Sequence, residues 1–526
     1  MSLNLSLWNW LLAFLPVLVV VVLMLALRWG GSRAGGMGWF TALLVAVAFF
    51  GAGFELLAVA QIKAVLLSLD VLLIIWSALL LFNITREAGA IRMIGHILPG
   101  LTGDRIMQSL LIGWLMVTFL QGMGGFGVPV AVCAPILIAL GFTPIQAVAM
   151  ASIGHGWAVT FGSLASSFQS LIAVTGLAGE DLAPLSALLM AISAFPNGLL
   201  VSVIGNGWKS LKRAFLPVLI LSIVMGGVQY LLATNHLWTL ASTGSGVAGL
   251  MVGFLLVQLP AYRNKDHYSA ERQTAEGDRD QGKSIWLALF GYGLLVVLAF
   301  AVNLIEPVQT FLGKVVFTLD FPEVSTRLGW VTPAGAGREI DLFVHPGAIL
   351  LYTCIISLIV YRATGYIEKG SIRGILQRVI HSGVNSSLGI LAMVAVASIM
   401  LHSGMTYLLA QGLSVSFSRN IYPAVAPFIG ALGAFITGSN TNSNVLFGVL
   451  QQNSAQLMNL SVPLILAAQT AGGSLGSVLA PAKVIVGCST AGLAGEEGLV
   501  MRHLLGYGLI TIGMVALVAS LINLFF

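Results

Sequence analysis

The chain has 526 residues, of which 58% are hydrophobic and 8% charged, with a formal net charge of +5 and a mean hydropathy of +0.97. A soluble domain carries about 25% charged residues, so this chain cannot cover a water-facing surface, and soluble enzyme and nucleic-acid-binding classes are excluded. Transmembrane β-barrels alternate in hydrophobicity and this chain does not, so the expected fold is an all-α polytopic integral membrane protein.

Apolar stretches recur at 11–27, 43–58, 71–82, 185–204, 216–232, 247–259, 285–302, 349–361, 388–401 and 504–526. Several approach the roughly 20 residues a spanning helix needs. The first lacks the basic leader of a cleaved signal peptide, so it reads as a span. Cys133, Cys354 and Cys488 lie in apolar segments, with neither disulfide nor metal spacing. Arg28, Arg33, Arg86, Arg92, Arg105, Lys209, Lys212 and Arg213 fall between spans, as do the hydrophilic linker 262–283 and the group Arg362, Lys369, Arg373 and Arg378. The positive-inside rule assigns all of these to the cytoplasm and the acidic segment 306–341 to the outside. Topology then accounts for the net charge, and a nucleic-acid partner is not required.

Two places break the apolar pattern in the same way. "FLQGMGGFGVPVAV" (119–132) and "FITGSNTNSNVLF" (435–447) both open with Phe, an aliphatic residue, a polar residue and Gly. The first leaves helical propensity through Gly124, Gly125, Gly127 and Pro129, the second through residues 439–444. About 35 residues after each Phe a second disruption follows, "GHGWAVTFGSLASS" (154–167) and "QTAGGSLGSVLAPAK" (469–483). Matched interrupted segments point to a transporter site, since non-helical backbone at membrane depth must be buried in protein or line a cavity. The expected plan is two halves of inverted topology, 1–240 and 285–526, joined by a span and basic linker at 241–284. Each half contributes an interrupted hairpin and a broken helix (about 119–142 and 154–170; about 435–460 and 469–490) meeting near the midplane.

The candidate substrate-binding residues follow from chemistry. Gly122, Gly125, Phe126 and Gly127 offer bare backbone N–H groups, and half-helix N-termini favour carboxylates. Gln121, Ser163, Ser439, Asn440, Thr441, Asn442, Ser443, Asn444, Gln469 and Thr470 supply hydroxyls and amides. This set suits a small hydroxy acid better than a hydrocarbon or a bare metal ion.

The stretches "FLQGMGGFGVPVAV", "FITGSNTNSNVLFGVLQ" and "AGGSLGSVLAPAKVIVGCSTAGLAGEE" resemble the lactate permease family of bacterial transporters, along nearly the whole chain. The resemblance implies a multi-pass plasma-membrane symporter of lactate, glycolate or other short 2-hydroxy acids, driven by protons, with hairpins meeting near the midplane. This chain departs from the family pattern at Gln121, where Glu is common, at Asn440, where Asp is common, and at Ser477, near which a Lys is expected. Its lysine comes later, at Lys483.

Lys483 is costly in an apolar segment and is a functional candidate, with snorkelling as the alternative. His155 in "IGHGW" titrates near neutral pH or serves as a bonded structural histidine. Asp70 and Glu55 read first as interface residues, with Asp70 a second-rank proton-coupling candidate beside His155 and Lys483. Glu496 and Glu497 read as a solvated loop. "GDRDQGKS" (277–284) matches a phosphate loop by letters but precedes a membrane span without a strand, and "GGSLG" (472–476) lacks the strand–turn–helix of a nucleophile elbow. The reading is a symporter without cofactor or metal, whose partners are a small carboxylate, a coupling ion (proton, alternatively sodium) and the bilayer. The alternatives are a sodium-coupled or exchanging carboxylate transporter, a channel, or a non-transporting subunit. No oligomeric state is assigned.

Overall fold

The computed structural model describes residues 5–27, 29–90, 102–125, 127–262, 284–288, 290–336, 340–368, 370–493 and 496–525. Phe126, the linker 263–283 with most of its phosphate-loop-like stretch, Arg28, Arg92 and Lys369 lie outside them. Eight described helices are long and apolar enough to cross a membrane, or up to ten if two bent pairs each form one span. Leu44, Ile223, Leu231, Leu255 and Leu517 stand exposed on such helices, as hydrocarbon-facing residues must. The protein is a helical, multi-pass membrane protein.

Two antiparallel hairpins do not fit a simple spanning pattern. The first pairs Arg105–Met123, which contains a wide π turn at Leu111–Met116, with Val128–Ala139. Asp104 starts it by accepting from the Ile106 and Met107 N–H groups, both at 3.0 Å. Gly127 turns it at φ +86°, which a residue with a Cβ adopts at a cost. Arg105 closes the open end by donating to the Gly141 carbonyl at 3.2 Å. The 12-residue return arm is about 18 Å long at 1.5 Å per residue, well short of a hydrocarbon core of about 30 Å. Its tip therefore stops at membrane depth.

The second hairpin pairs Tyr422–Thr437 with Asn440–Leu457. Tyr422 Oη donates to Gln451 Oε1 at the open end, and Ser443 Oγ donates to the Gly430 carbonyl near the tip, both at 2.7 Å. Here an expectation is corrected. The polar run was read as non-helical through 439–444, but only Gly438 (φ +74°) and Ser439 leave the helix. Ser439 is the N-cap, accepting from the Asn442 N–H at 3.4 Å, and Asn440–Asn444 form the first helical turn. Tertiary partners satisfy the amide N–H groups of Asn440 and Asn444, so weak helical propensity does not decide the outcome.

Each hairpin is followed by a broken helix. Thr143 and Gln146 form a capping box for Pro144–His155. The chain then passes a 3₁₀ turn, Gly156–Ala158, and three left-handed residues, Ser163, Leu164 and Ala165, within Gly162–Thr175; the two arms diverge by 48°. In the second half Val462–Ser477 stays helical through the whole "GGSLG" stretch, and the break falls at 478–480, before Pro481–Thr490. That is later than the start at Gln469 expected from sequence.

Two long helices, Phe54–Glu87 and Ser371–His402, run antiparallel beside these parts. Ser398 Oγ donates to the Ala60 carbonyl (2.6 Å), Trp76 Nε1 to Ser387 Oγ (2.8 Å) and Arg378 Nη2 to Glu87 Oε2 (2.6 Å). The acidic segment carries a short helix, Glu306–Leu312, then three nested two-residue β-ladders ending at Ile340–Asp341. Its Arg327 N–H bonds the Gly51 carbonyl at 2.8 Å.

Candidate functional site

The interrupted segments of the two halves meet in one buried polar cluster. The first broken helix enters it at Thr160, whose N–H donates to Ser474 Oγ (3.1 Å) and whose hydroxyl donates to the Thr470 carbonyl (3.1 Å). Ser474 in turn donates to the Gly156 carbonyl at 2.7 Å. The second hairpin tip closes over this pair. Asn440 Nδ2 faces the Thr470 carbonyl (3.2 Å), Thr470 Oγ1 (3.3 Å) and Thr160 Oγ1 (3.4 Å). Asn444, one turn along on the same face, donates from Nδ2 to the Ser167 carbonyl and to Thr470 Oγ1, both at 2.9 Å. Thr441 Oγ1 lies 3.2 Å from Ser167 Oγ, and Ser170 Oγ reaches the Thr441 carbonyl at 3.5 Å.

A backbone carbonyl only accepts, so the bonds to Thr470 and Ser167 fix which end of each amide carries the nitrogen. The oxygens then point elsewhere. Oδ1 of Asn440, Asn442 and Asn444, Oε1 of Gln121 and Nε2 of His155 are buried without a protein partner. His155 Nδ1 is 2.7 Å from the Ala151 carbonyl, which places its proton there and leaves Nε2 as an acceptor. Each such buried group costs about 1–3 kcal/mol if nothing donates to it. The cluster thus presents acceptors for an incoming donor, beside the positive N-terminal end of the Asn440–Leu457 helix.

The first hairpin tip sits at the neighbouring break. A side chain at Gly125 would overlap Ser163, one at Gly162 would overlap Gln121, and one at Gly122 would strike Thr243. Gln121, Gly122, Gly125 and Ser163 are therefore together, and Gly127 packs on Val486 of the second broken helix. Gln469 and Ser443 have another job. Gln469 Nε2 donates to Ser443 Oγ (3.1 Å) and its Oε1 accepts from Gln451 (3.1 Å), a chain that holds hairpin to broken helix. Gly430, Gly472 and Gly476 let those helices touch backbone to backbone.

Lys483 lies just beyond the second break, and its Nζ donates to Ser477 Oγ at 3.0 Å. The amine thus reaches back to Ser477, near where the family resemblance puts a lysine. Asp70 is 2% exposed, halfway along its helix, and 2.9 Å from Nε2 of His345, the N-cap of Pro346–Ala363. Thr160, Ser167, Ser170 and Ser474 were not singled out from the sequence, although all four lie in the stretches marked as disrupted. Hydroxyls within a break were the available signal.

Two large cavities flank the cluster. One of about 510 Å³ is lined by Asn83, Arg86, Arg378 and His381 and ends on Gly124, Gly125 and Val128 of the first hairpin. The other, about 760 Å³, is lined by Lys63, Ser398, His402 and the β-segment, and reaches Val445 and Val449 of the second.

The model of the family described as L-lactate permease matches residues 9–526. The L-lactate permease of Streptococcus iniae is 29% identical, over 87% of this chain and 93% of its own. The glycolate permease GlcA of Escherichia coli is 26% identical, over 97% and 95%, and the L-lactate permease of Bacillus subtilis likewise. Among solved structures, the YdaH transporter of Alcanivorax borkumensis aligns over 98% of this chain and 97% of its own, with 14% identity and a TM-score of 0.45. Matched along 518 of its 526 residues by the family model (526 − 9 + 1), the chain belongs to the L-lactate permease family.

Proposed function

We propose that this permease is a symporter that carries lactate, glycolate or a similar short 2-hydroxy monocarboxylate together with a proton. The observation that carries the reading is the set of buried, unpartnered acceptors at Gln121, His155, Asn440 and Asn444, on the interrupted segments of the two halves where these meet. A 2-hydroxy acid matches both sides of that chemistry. Its hydroxyl donates to amide oxygens, and its carboxylate accepts from backbone N–H groups at a helix N-terminus. Lys483, held on Ser477, supplies the positive charge that Gln121 and Asn440 do not oppose.

The reading takes residues 1–240 and 285–526 as two repeats of inverted topology. Its support is that the first hairpin opens at Arg105 and Gly141, on the Lys/Arg-rich side, whereas residues flanking the second carry few bases. A sodium-coupled alternative draws on the amide oxygens, which are also hard ligands for a monovalent cation. Purified protein in proteoliposomes tests both, with lactate, glycolate and larger carboxylates under separate proton and sodium gradients. The expected result is uphill uptake of lactate or glycolate under an inward proton gradient alone. Accumulation with sodium alone would transfer the coupling to that ion, and no accumulation under either gradient would refute symport.

A further inference from the structure

The pair Asp70–His345 stands apart from the polar cluster. His345 is the N-cap of the helix Pro346–Ala363, and its Nδ1 accepts from the Gly347 N–H at 3.2 Å. With Nδ1 occupied as an acceptor, the imidazole proton sits on Nε2 and is donated to Asp70 Oδ1 at 2.9 Å. Asp70 is 2% exposed on the 34-residue helix Phe54–Glu87, level with the first residues of Pro346–Ala363. A carboxylate buried this fully is expensive unless it is paired or has a function.

The pair is also reached by a cavity of about 230 Å³ that runs to the segment assigned to the outside. Asp341, Val344 and His236 line its outer part, and Leu295 and Ala299 its apolar wall. Its other wall is the first broken helix, through Leu164 and Gln169. Leu164 is one of the three left-handed residues of the break, and Gln169 lies two residues from Ser167, which contacts Thr441 and Asn444. One chamber thus joins an outer surface, a buried acid and the helix that holds the candidate substrate cluster. Among the described residues, the other ionisable groups lining the cavity are Asp341 and His236, with Glu180 3.8 Å from His236. No Lys or Arg lines the chamber among the described residues.

We infer that Asp70, held by His345, is the group that takes up and releases the coupling proton. The proton enters through this cavity and converts the buried carboxylate to the neutral acid, removing the charge that opposes movement of the broken helix past it. His345 is a positioning residue: its Nε2–H holds the carboxylate toward the cavity. The inference rests on the proton-symport reading above.

The test uses full-length protein in proteoliposomes, with L-lactate as the probe. Counterflow exchange at equal pH on both sides is measured beside uptake driven by an inward proton gradient, with proton influx followed by an entrapped pH dye. Asp70→Asn mimics the protonated acid. It is expected to keep counterflow and to lose gradient-driven accumulation, lactate-linked proton influx and the pH dependence of uptake. His345→Gln keeps an amide donor to the acid and is expected to keep coupling with a shifted pH profile. Asp70→Asn with undiminished accumulation and proton influx overturns the inference. So does loss of counterflow in well-folded, monodisperse Asp70→Asn, which would make the pair a structural tie or a substrate contact. Should Asp70→Asn fail to fold, His345→Gln decides: an unaltered pH profile overturns the inference. A wild type that exchanges lactate but ignores the proton gradient refutes proton symport itself, an outcome read without any variant.

Discussion

Asn444 offers the sharpest test of the polar cluster, because its geometry separates a structural cost from a binding cost. The side chain is fully buried and donates two 2.9 Å bonds, one to the Ser167 carbonyl in the first half and one to Thr470 Oγ1 in the second. Asn444→Ala removes both. Neither partner is then orphaned: the Ser167 carbonyl still accepts from Ser170 Oγ at 2.7 Å, and Thr470 Oγ1 keeps its contact with Asn440 at 3.3 Å. The structural loss is therefore about 1–3 kcal/mol, two ordinary buried bonds, spread over a large helical body that remains folded. The binding loss is separate. If Oδ1 accepts from substrate, its removal costs a further 1–3 kcal/mol or so, about five- to 150-fold in affinity. The assay is lactate binding to purified protein beside uptake in proteoliposomes, with monodispersity as the folding control. Asn440→Ala, on the same helical face, is expected to behave alike. Asn442 lies two positions off that face, and Asn442→Ala is expected to lose less. Wild-type affinity and uptake in Asn444→Ala and Asn440→Ala would remove the amides from the site and refute the reasoning.

Lys483→Gln is expected to raise the apparent lactate constant and alter the pH profile of uptake, with Lys483→Arg rescuing only in part because the guanidinium is larger and keeps its proton; unaltered affinity in radiotracer uptake would make the lysine an interface residue. Gly472→Val would drive a side chain into the Pro427 carbonyl across a close helix contact, and overpacking of this kind costs about 1–3 kcal/mol, to be seen as a lowered melting temperature in detergent. Single-cysteine labelling in intact cells should reach a cysteine at Asp320 but not one at Ser269, and external labelling at Ser269 would reverse the orientation drawn from Lys and Arg.

Much of this was legible because the bilayer leaves few choices. Ten apolar runs announced a helical membrane protein, and the paired interruptions led to the two hairpins and two broken helices. The errors came from local propensity. Residues 440–444 carry weak helix formers, yet they are helical, because Asn440, Ser443 and Asn444 find partners on other elements that no short window contains. For the same reason Gln469 read as a ligand candidate, whereas its amide is spent on Gln451 and Ser443. Nothing in the sequence pairs Asp70 with His345, which is 275 positions away. The β-ladders of the outer segment left no clear alternation, since each strand has only two residues.

The cluster also bears on where the protein can move cheaply. Ser474 to Gly156, Thr160 to Ser474 and Thr470, Asn440 to Thr160, and Asn444 to Ser167 all bridge the two halves inside the site. At about 0.5–1.5 kcal/mol each, breaking them together costs several kcal/mol and leaves buried polar groups without partners. The cavities lie elsewhere, between this stitched body and the helix pair Phe54–Glu87 and Ser371–His402. Arg86 and Arg378 line one, and Lys63, Ser398 and His402 line the other. Across that boundary the walls are already separated by open volume, and the Gly124 backbone faces the Phe82 ring without a side chain to catch on it. Relative motion therefore costs least where hairpins and broken helices slide as one unit along the two long helices. Asp70 sits on one of those helices and shares the chamber with Gln169 of the first broken helix, so in the proposed symport its charge would act along the boundary where motion costs least.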